Sequence, residues 1–338
     1  MTIRHLNSVC RVLLFRRRWA AAACAAMLLT SATTTAIAQD SYPDKPVKIV
    51  VGFAPGGTND ILARTISVKL QERLKQNFIV DNKPGANSAI GNDLVAKARP
   101  DGYTLLVSSS GGLTVNPVLM PNLAYDPQKD YEPIALLGSF PLVVTVNPNL
   151  PVNSLATLVE YAKKNKGGML DHGVATSSFQ LVAELLGNVS GIKFNHINYR
   201  GSGPTVLALM GGEIQVAVLD SAAVMAQVKA GKLKALAVTT AKRSSALPEL
   251  PTAAESGVVG YDVPIWTALM APKGTPEVVL NKLRTALKDI LTEKDTIDRL
   301  QALGMEPGNT DGPALTRLIT TDIARWANVA KTANIKPQ

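Results

Sequence analysis

The sequence predicts an α/β protein whose sheet is parallel and covered by helices on both faces. Three observations carry that expectation. Short runs rich in β-branched and aliphatic residues alternate with stretches whose apolar residues fall at helical spacing, the pattern of βα units. Several of these runs end in loops of Gly, Ser or Thr that open a helix. The chain of 338 residues, less an export leader, suffices for two domains of ordinary size.

The leader comes first. Arg4, Arg11, Arg16, Arg17 and Arg18 form a basic start with no acid among them. An apolar run over residues 19–29 follows, and Ala36-Ile37-Ala38 supplies an A-x-A cleavage signal. A signal peptide over residues 1–38, cleaved after about Ala38, is therefore expected, by either the Sec or the twin-arginine route. The run is short for a bilayer, and no later stretch approaches spanning length. Both cysteines, Cys10 and Cys24, lie in the leader, so the mature chain has no disulfide, thiolate nucleophile or cysteine metal site. The net charge of +9, less the five leader arginines, is +4. With no long Lys/Arg block, a nucleic-acid surface is not expected.

The mature chain opens with the stretch around which the rest is organised, VKIVVGFAPGGTNDILAR. Residues 47–54 read as a buried strand, Pro55-Gly56-Gly57 as a turn, and Ile61, Leu62, Ile66, Leu70 and Leu74 as one face of a helix. A strand, a glycine turn and a helix N-terminus aim unpaired N–H groups at one spot, which suits an anion. The same residues also fit a plain βα turn.

A strand over 77–81, a loop over 83–87, a helix with Ile90, Leu94, Val95 and Ala98, and a strand over 103–108 follow. Ser108, Ser109 and Ser110 run into Gly111-Gly112. A proline-bearing stretch then leads to strands at 134–137 and 142–146. The βα grammar resumes with a helix after Ser154, strands at 171–175, 196–199, 214–219 and 233–239, and helices opened by Thr176-Ser177-Ser178, Arg200-Gly201-Ser202-Gly203 and Asp220-Ser221. A connector over 247–260 precedes a strand at 266–271. Thr275-Pro276-Glu277 starts a further helix, and two more close the chain.

Catalytic signatures are thin. The mature part has only His172 and His196, without metal-ligand spacing, and both read as structural. There is no G-x-S-x-G elbow. Gly201-Ser202-Gly203 lacks the third glycine of a dinucleotide loop, and Gly231-Lys232 lacks the upstream glycine of a phosphate loop. An exported α/β chain of this kind reads as a binder, not an enzyme, with no cofactor and no metal.

Several segments together resemble one family. They are YPDKPVKIVVGFAPGGTNDILAR, NKPGANSAIGNDLVAKARPDGYTLL, YDPQKDYEPIALL, INYRGSGPTVLALMGGEIQVAV, VKAGKLKALAVTTAKRSSALPELPTAAESG and WTALMAPKGTPEVVLNKLRTAL, which cover nearly the whole mature chain in family order. The sequence resembles the periplasmic solute receptors of tripartite tricarboxylate transporters, the Bug proteins. The resemblance implies a periplasmic location and a two-lobed Venus-flytrap fold of the class II periplasmic-binding type with two hinge crossings. These fall near residues 140–142 and 261–263, giving one lobe of 42–140 plus 263–338 and another of 141–262. It also implies capture of a small organic anion (a di- or tricarboxylate, an aromatic acid or an acidic amino acid) and delivery to a two-subunit membrane permease. An alternative is presentation of the loaded form to a sensor kinase ectodomain.

Carried over residue by residue, the resemblance implies that the ligand carboxylate is held by Phe53, Ala54, Pro55, Gly56, Gly57, Thr58 and Asp60, with Ser108 and Ser109 from the same lobe. From the second lobe it implies Thr176, Ser177, Ser178, Tyr199, Arg200, Gly201, Asp220 and Ser221. The residues themselves leave other roles open: the glycines also serve a turn, the hydroxyls cap helices, and Asp220 suits an N-cap. The chain departs from the family pattern at Phe179 and Gln180, where relatives carry x-His. It departs again at Arg200, in place of lysine, and at Asn87-Ser88, in place of a glycine pair.

Overall fold

The computed structural model describes residues 42–165, 167–302, 304–308 and 311–335. The expected signal peptide lies outside them. The unit analysed below begins at Lys45. The three described residues before it include a cis Tyr42–Pro43 bond.

Ten strands and ten α-helices are described: β1 (Val47–Val51), α1 (Thr58–Leu74), β2 (Phe78–Asn82), α2 (Ala89–Ala96), β3 (Thr104–Ser109), α3 (Asn116–Leu119), β4 (Tyr131–Val146), α4 (Leu155–Asn165), β5 (Met169–Val174), α5 (Ser177–Ser190), β6 (Lys193–Asn198), α6 (Ser202–Gly211), β7 (Val216–Asp220), α7 (Ser221–Lys229), β8 (Lys234–Val238), β9 (Pro264–Pro272), α8 (Glu277–Ile290), α9 (Lys294–Ala302), β10 (Glu306–Pro307) and α10 (Gly312–Thr332). A single π-helical turn, Gly111–Val115, joins β3 to α3.

The strands form two sheets that share β4. In the first, β2, β1 and β3 run parallel, β9 is antiparallel to β3, and β4 is antiparallel to β9 through Pro141↔Pro264, with β10 on its far edge. In the second, residues from Leu142 onward lie between β7 and β8, both antiparallel, while β5 and β6 continue parallel to β7. The two-lobed α/β architecture is present. The sheet, however, is mixed rather than parallel. Two expected strands, at 134–137 and 142–146, are one strand of 16 residues that changes partners between Pro141 and Leu142. Sequence periodicity could not announce this, because β4 pairs antiparallel with β9, a strand more than a hundred residues further along the chain.

Each sheet has its own core. Val50, Leu106, Leu113, Trp266, Met270 and Ile319 pack in one cluster. Val143, Leu209, Ile214, Leu219 and Val238 pack in the other. The two chain passages between sheets meet at buried Thr239. Its N–H donates to Leu142 O (3.0 Å), and Val263 N–H donates to its carbonyl (2.7 Å). Its Oγ1 accepts from Leu142 N–H (3.0 Å) and donates to Val263 O (2.8 Å).

β1 ends at Val51, three residues before the apolar run does. The cause is close packing: a Cβ on Gly52 would lie 2.5 Å from Ser88 Cβ, and one on Gly91 would lie 2.9 Å from Gly52 Cα. The approach of α2 to the end of β1 therefore needs glycine on both sides and turns the chain there.

Candidate functional site

Four helices begin at one cavity. It measures about 240 Å³ and is lined by Phe53, Gly57, Thr58, Asn59, Asn87, Ser109, Gly111, Phe140, Thr176, Ser178, Phe179, Gly201, Ser202, Asp220 and Ile265. Gly57, Thr176, Gly201 and Asp220 are the N-caps of α1, α5, α6 and α7, respectively. The first of these helices follows the first sheet's β1, and the other three follow strands of the second sheet. A helix leaves its first amides without intrahelical acceptors and carries a partial positive charge there. The helix starts therefore present donors at the cavity.

The α1 end shows how the sequence sets this up. Gly56 has φ +84°, which side-chain-bearing residues rarely adopt. Its N–H donates to Asp60 Oδ2 (2.9 Å), and Asn82 Nδ2 donates both to Asp60 Oδ1 (2.9 Å) and to Phe53 O (3.0 Å). Arg64 Nε also donates to Asp60 Oδ2 (2.9 Å). Burial raises the Asp60 carboxyl, but the hydrogen bonds from Arg64, Gly56 and Asn82 outweigh it, and its pKa falls below the ordinary value. The first helical bond is Ile61 N–H to Gly57 O, so the amides of Thr58, Asn59 and Asp60 precede it. Thr267 Oγ1 donates to Asn59 Oδ1 (2.7 Å), which fixes Asn59 on the cavity wall.

On the second sheet's side, Thr176 caps α5 by accepting from Phe179 N–H (3.2 Å). Gly201 starts α6 at φ +101°, and Thr205 Oγ1 donates to its carbonyl (2.9 Å). Asp220 caps α7: Oδ1 accepts from Ala223 N–H (3.0 Å) and Oδ2 from Ser202 Oγ (2.8 Å). A Cβ on Gly111 would lie 2.4 Å from Ser178 Oγ, so a larger residue there would make the Ser178 hydroxyl turn away.

A second, larger cavity of about 750 Å³ shares Phe53, Asn87, Thr176 and Gly201 with the first. It adds Gly85, Ala86, Ser177, Asn198, Tyr199 and Arg200, among others. Burial, with a smaller effect from the Glu213 carboxylate, raises the Tyr199 phenol.

Of the residues expected from the sequence, the structure brings Phe53, Gly57, Thr58, Ser109, Thr176, Ser178, Gly201 and Asp220 to the smaller cavity and Ser177, Tyr199 and Arg200 to the larger. Ala54, Pro55, Gly56, Asp60, Ser108 and Ser221 line neither. Asp60 is buried as described. Ser108 is fully buried, its Oγ without a hydrogen-bond partner, and Ser221 is buried facing Gly304. Phe179 lines the smaller cavity and also packs against the second core, while Gln180 lines neither.

Sequence reasoning missed Asn59, Asn87, Gly111, Phe140, Ser202 and Ile265 as wall residues. Asn59 and Ser202 adjoin expected positions, and a helix-start argument extended by one residue finds them. Phe140 and Ile265 face each other across the β4–β9 ladder, and only the register shows that.

His172 and His196 sit away from the cavities. His172 Nδ1 lies 3.0 Å from His196 Nδ1, and His196 Nε2 lies 2.5 Å from Glu184 Oε1. Val218 N–H reaches His172 Nε2 at 3.4 Å. One tautomer pair satisfies all three contacts: His172 donates from Nδ1, and His196 donates from Nε2 to the carboxylate. Among the described residues no group of three or more His, Cys, Asp or Glu is placed to hold a metal ion.

Residues 62–335 match the model of the family described as "Tripartite tricarboxylate transporter family receptor". The chain is 35% identical to Protein BugT of Bordetella pertussis over 302 residues, 89% of this chain and 93% of that protein. Among solved structures it is similar to R. palustris Rpa4515 with adipate (TM-score 0.80, 35% identity), covering 88% of this chain and all of that one. It is also similar to MatC from Rhodopseudomonas palustris with bound malate (TM-score 0.75, 31% identity), covering 85% and 99%.

Proposed function

The chain belongs to the tripartite tricarboxylate transporter receptor family, the Bug-type periplasmic binding proteins, and on that premise we propose that it captures a small organic carboxylate and hands it to a membrane permease. The observation that carries the reading is the convergence of four helix N-termini, from both sheets, on one cavity of carboxylate size. A carboxylate there accepts N–H bonds from α1 on one side and from α5 and α6 on the other. Contacts to both lobes favour the closed arrangement, by no more than the difference in binding between the two states. On this reading the lobes divide at residues 141–142 and 263–264, where the chain passes between sheets, and the carboxylate-holding residues are Phe53, Gly57, Thr58, Ser109, Thr176, Ser178 and Gly201. Arg200, in the larger cavity, meets a second anionic group through its planar fork.

The adipate and malate in the two relatives support a carboxylate for this chain as well. No described helix is long and apolar enough to cross a membrane, which suits a receptor that meets its permease from the periplasm. A thermal-shift screen of di- and tricarboxylates, aromatic acids and acidic amino acids on ligand-stripped protein tests binding. Stabilisation by at least one acid is expected, and none by any would overturn the reading. Deletion of the gene should abolish uptake of the same acid. Intact uptake, together with binding of the loaded protein to a sensor kinase ectodomain, would reassign it to signalling.

A further inference from the structure

The loop over residues 85–88 carries a feature that neither the fold nor the anion-binding ends of the helices require. Ala86, Asn87 and Ser88 all have positive φ, at 46°, 49° and 72°, directly after Gly85 at 137°. Three successive non-glycine residues in the left-handed region are costly, and such strain persists only where the surroundings over-determine it. Here they do. Asn87 Nδ2 donates to Asn116 Oδ1 (2.7 Å), and Asn116 Nδ2 donates back to Asn87 O (2.9 Å) and to Tyr125 Oη (3.1 Å). Tyr125 in turn donates to Gly112 O (2.5 Å) and accepts from Asn92 Nδ2 (3.0 Å). Asn116 and Tyr125 are both buried.

The clamp has a chemical consequence. Asn87 lines both cavities, and its amide nitrogen spends one of its two hydrogens on Asn116. The amide is therefore fixed in one orientation, and Oδ1 is left without a protein partner among the described residues. In a site whose walls are chiefly helix-start amides, that atom is an acceptor. The Asp220 carboxylate on the same cavity adds two acceptor oxygens, each with only one bond from the protein.

We propose that Asn87 is a specificity-determining residue: its clamped Oδ1 selects, among carboxylates, those that also carry a hydrogen-bond donor, a hydroxyl or an ammonium. This rests on the carboxylate-receptor reading and refines it. A plain acid leaves the acceptor unpaired when water is displaced, and a site built to pair a polar group rejects ligands that lack it.

The test compares acids of equal chain length by calorimetry: succinate, malate and aspartate; glutarate, 2-hydroxyglutarate and glutamate; adipate, 2-hydroxyadipate and 2-aminoadipate. Within the chain length that binds best, wild type should prefer a donor-bearing acid by about tenfold or more. Asn87→Gly suits a residue at φ 49° and deletes the acceptor. It should narrow that preference to within about threefold, with the plain acid gaining relative to the donor-bearing ones because it no longer leaves an acceptor unpaired. Asn87→Asp adds a charge at the cost of the bond to Asn116, so every acid should bind more weakly and the ammonium-bearing acid should lose least. A thermal melt of each variant shows that it is folded. Carboxylates bound without preference by wild type, or a preference that survives Asn87→Gly, would sink this inference and leave the receptor reading intact. Binding of none of the nine acids by wild type, alongside a thermal-shift screen that finds no other acid, would sink both.

Discussion

Thr239→Val tests whether one hydroxyl holds the two passages between the lobes together. The substitution keeps the side chain's shape and both backbone bonds but replaces Oγ1 with a methyl group. Leu142 N–H and Val263 C=O then lose a partner at a residue with no exposed surface. Leaving a buried backbone group unpaired costs about 1–3 kcal/mol, so two such groups cost roughly 2–6 kcal/mol. The segments themselves stay in place, because Leu142 O and Val263 N–H remain paired with the Thr239 backbone. The added methyl returns about 0.8 kcal/mol of burial. A net loss of about 2–4 kcal/mol is expected. Urea unfolding followed by circular dichroism measures it as a lower midpoint at unchanged slope. Thr239→Ser retains the hydroxyl and loses one methyl, so it should stay within about 1 kcal/mol of wild type. A valine variant within about 0.5 kcal/mol of wild type, or a serine variant as damaged as the valine one, would refute the reasoning.

Three further outcomes follow from buried titratable groups. Asp60→Ala should cost about 2 kcal/mol and weaken carboxylate binding, because three donors lose their acceptor and the turn before α1 loses its brace; half-exposed Arg64 contributes little to that cost. Full stability with binding abolished would instead make Asp60 a direct ligand contact. Burial, with a smaller effect from His196, pushes His172 from 6.5 down to about 3. The unfolded chain then binds the extra proton first, so stability should fall as pH drops from 6.5 toward 3, by at most about 1.4 kcal/mol per pH unit. His172→Gln should flatten that stretch of the urea-midpoint curve, and an unchanged slope would count against it. Asp322 has the opposite sign: burial raises its carboxyl above 3.8 although Trp266 Nε1 donates to it (2.8 Å). The folded state holds the proton longer, so its contribution is lost as pH rises from 3.8 toward the raised value. Asp322→Asn keeps an acceptor for Trp266 and should be at least as stable as wild type above that window; a marked loss there would contradict the reading.

The local units were legible because each is written within about thirty residues. The strand, glycine turn and helix of residues 47–64 announce themselves by period and by Pro55-Gly56-Gly57, and the N-caps Thr176 and Asp220 by residue type. What joins the units was not. β4 reads as two short apolar runs because Gly138 and Pro141 interrupt its pattern, yet β9 pairs along it to Pro264. Its antiparallel direction follows from a neighbour more than a hundred residues away. Residue types also could not separate a wall residue from a brace. Asp60 and Thr58 lie two positions apart in one helix start, and the helical turn points one inward to Gly56 and Asn82 and leaves the other on the cavity.

The same limit explains why Asn87 stood out only as a departure from the family pattern and not as a wall residue. In the Gly-Ala-Asn-Ser run only Gly85 and Asn87 are residue types that favour left-handed backbone, and Ala86 and Ser88 adopt it as well. The conformation is imposed from outside, by Asn116 and Tyr125, which lie beyond the next strand. In the helix starts, chemistry and local sequence coincide, because the backbone supplies the donors and the caps only punctuate them. At residue 87 they separate: the proposed chemistry is the side chain's, and a distant amide sets that side chain's orientation. On the proposed function, recognition of a carboxylate as such sits in segments whose sequence can be read directly. The proposed discrimination between carboxylates sits where a tertiary contact orients a side chain, and there the fold has to be known before the residue can be understood.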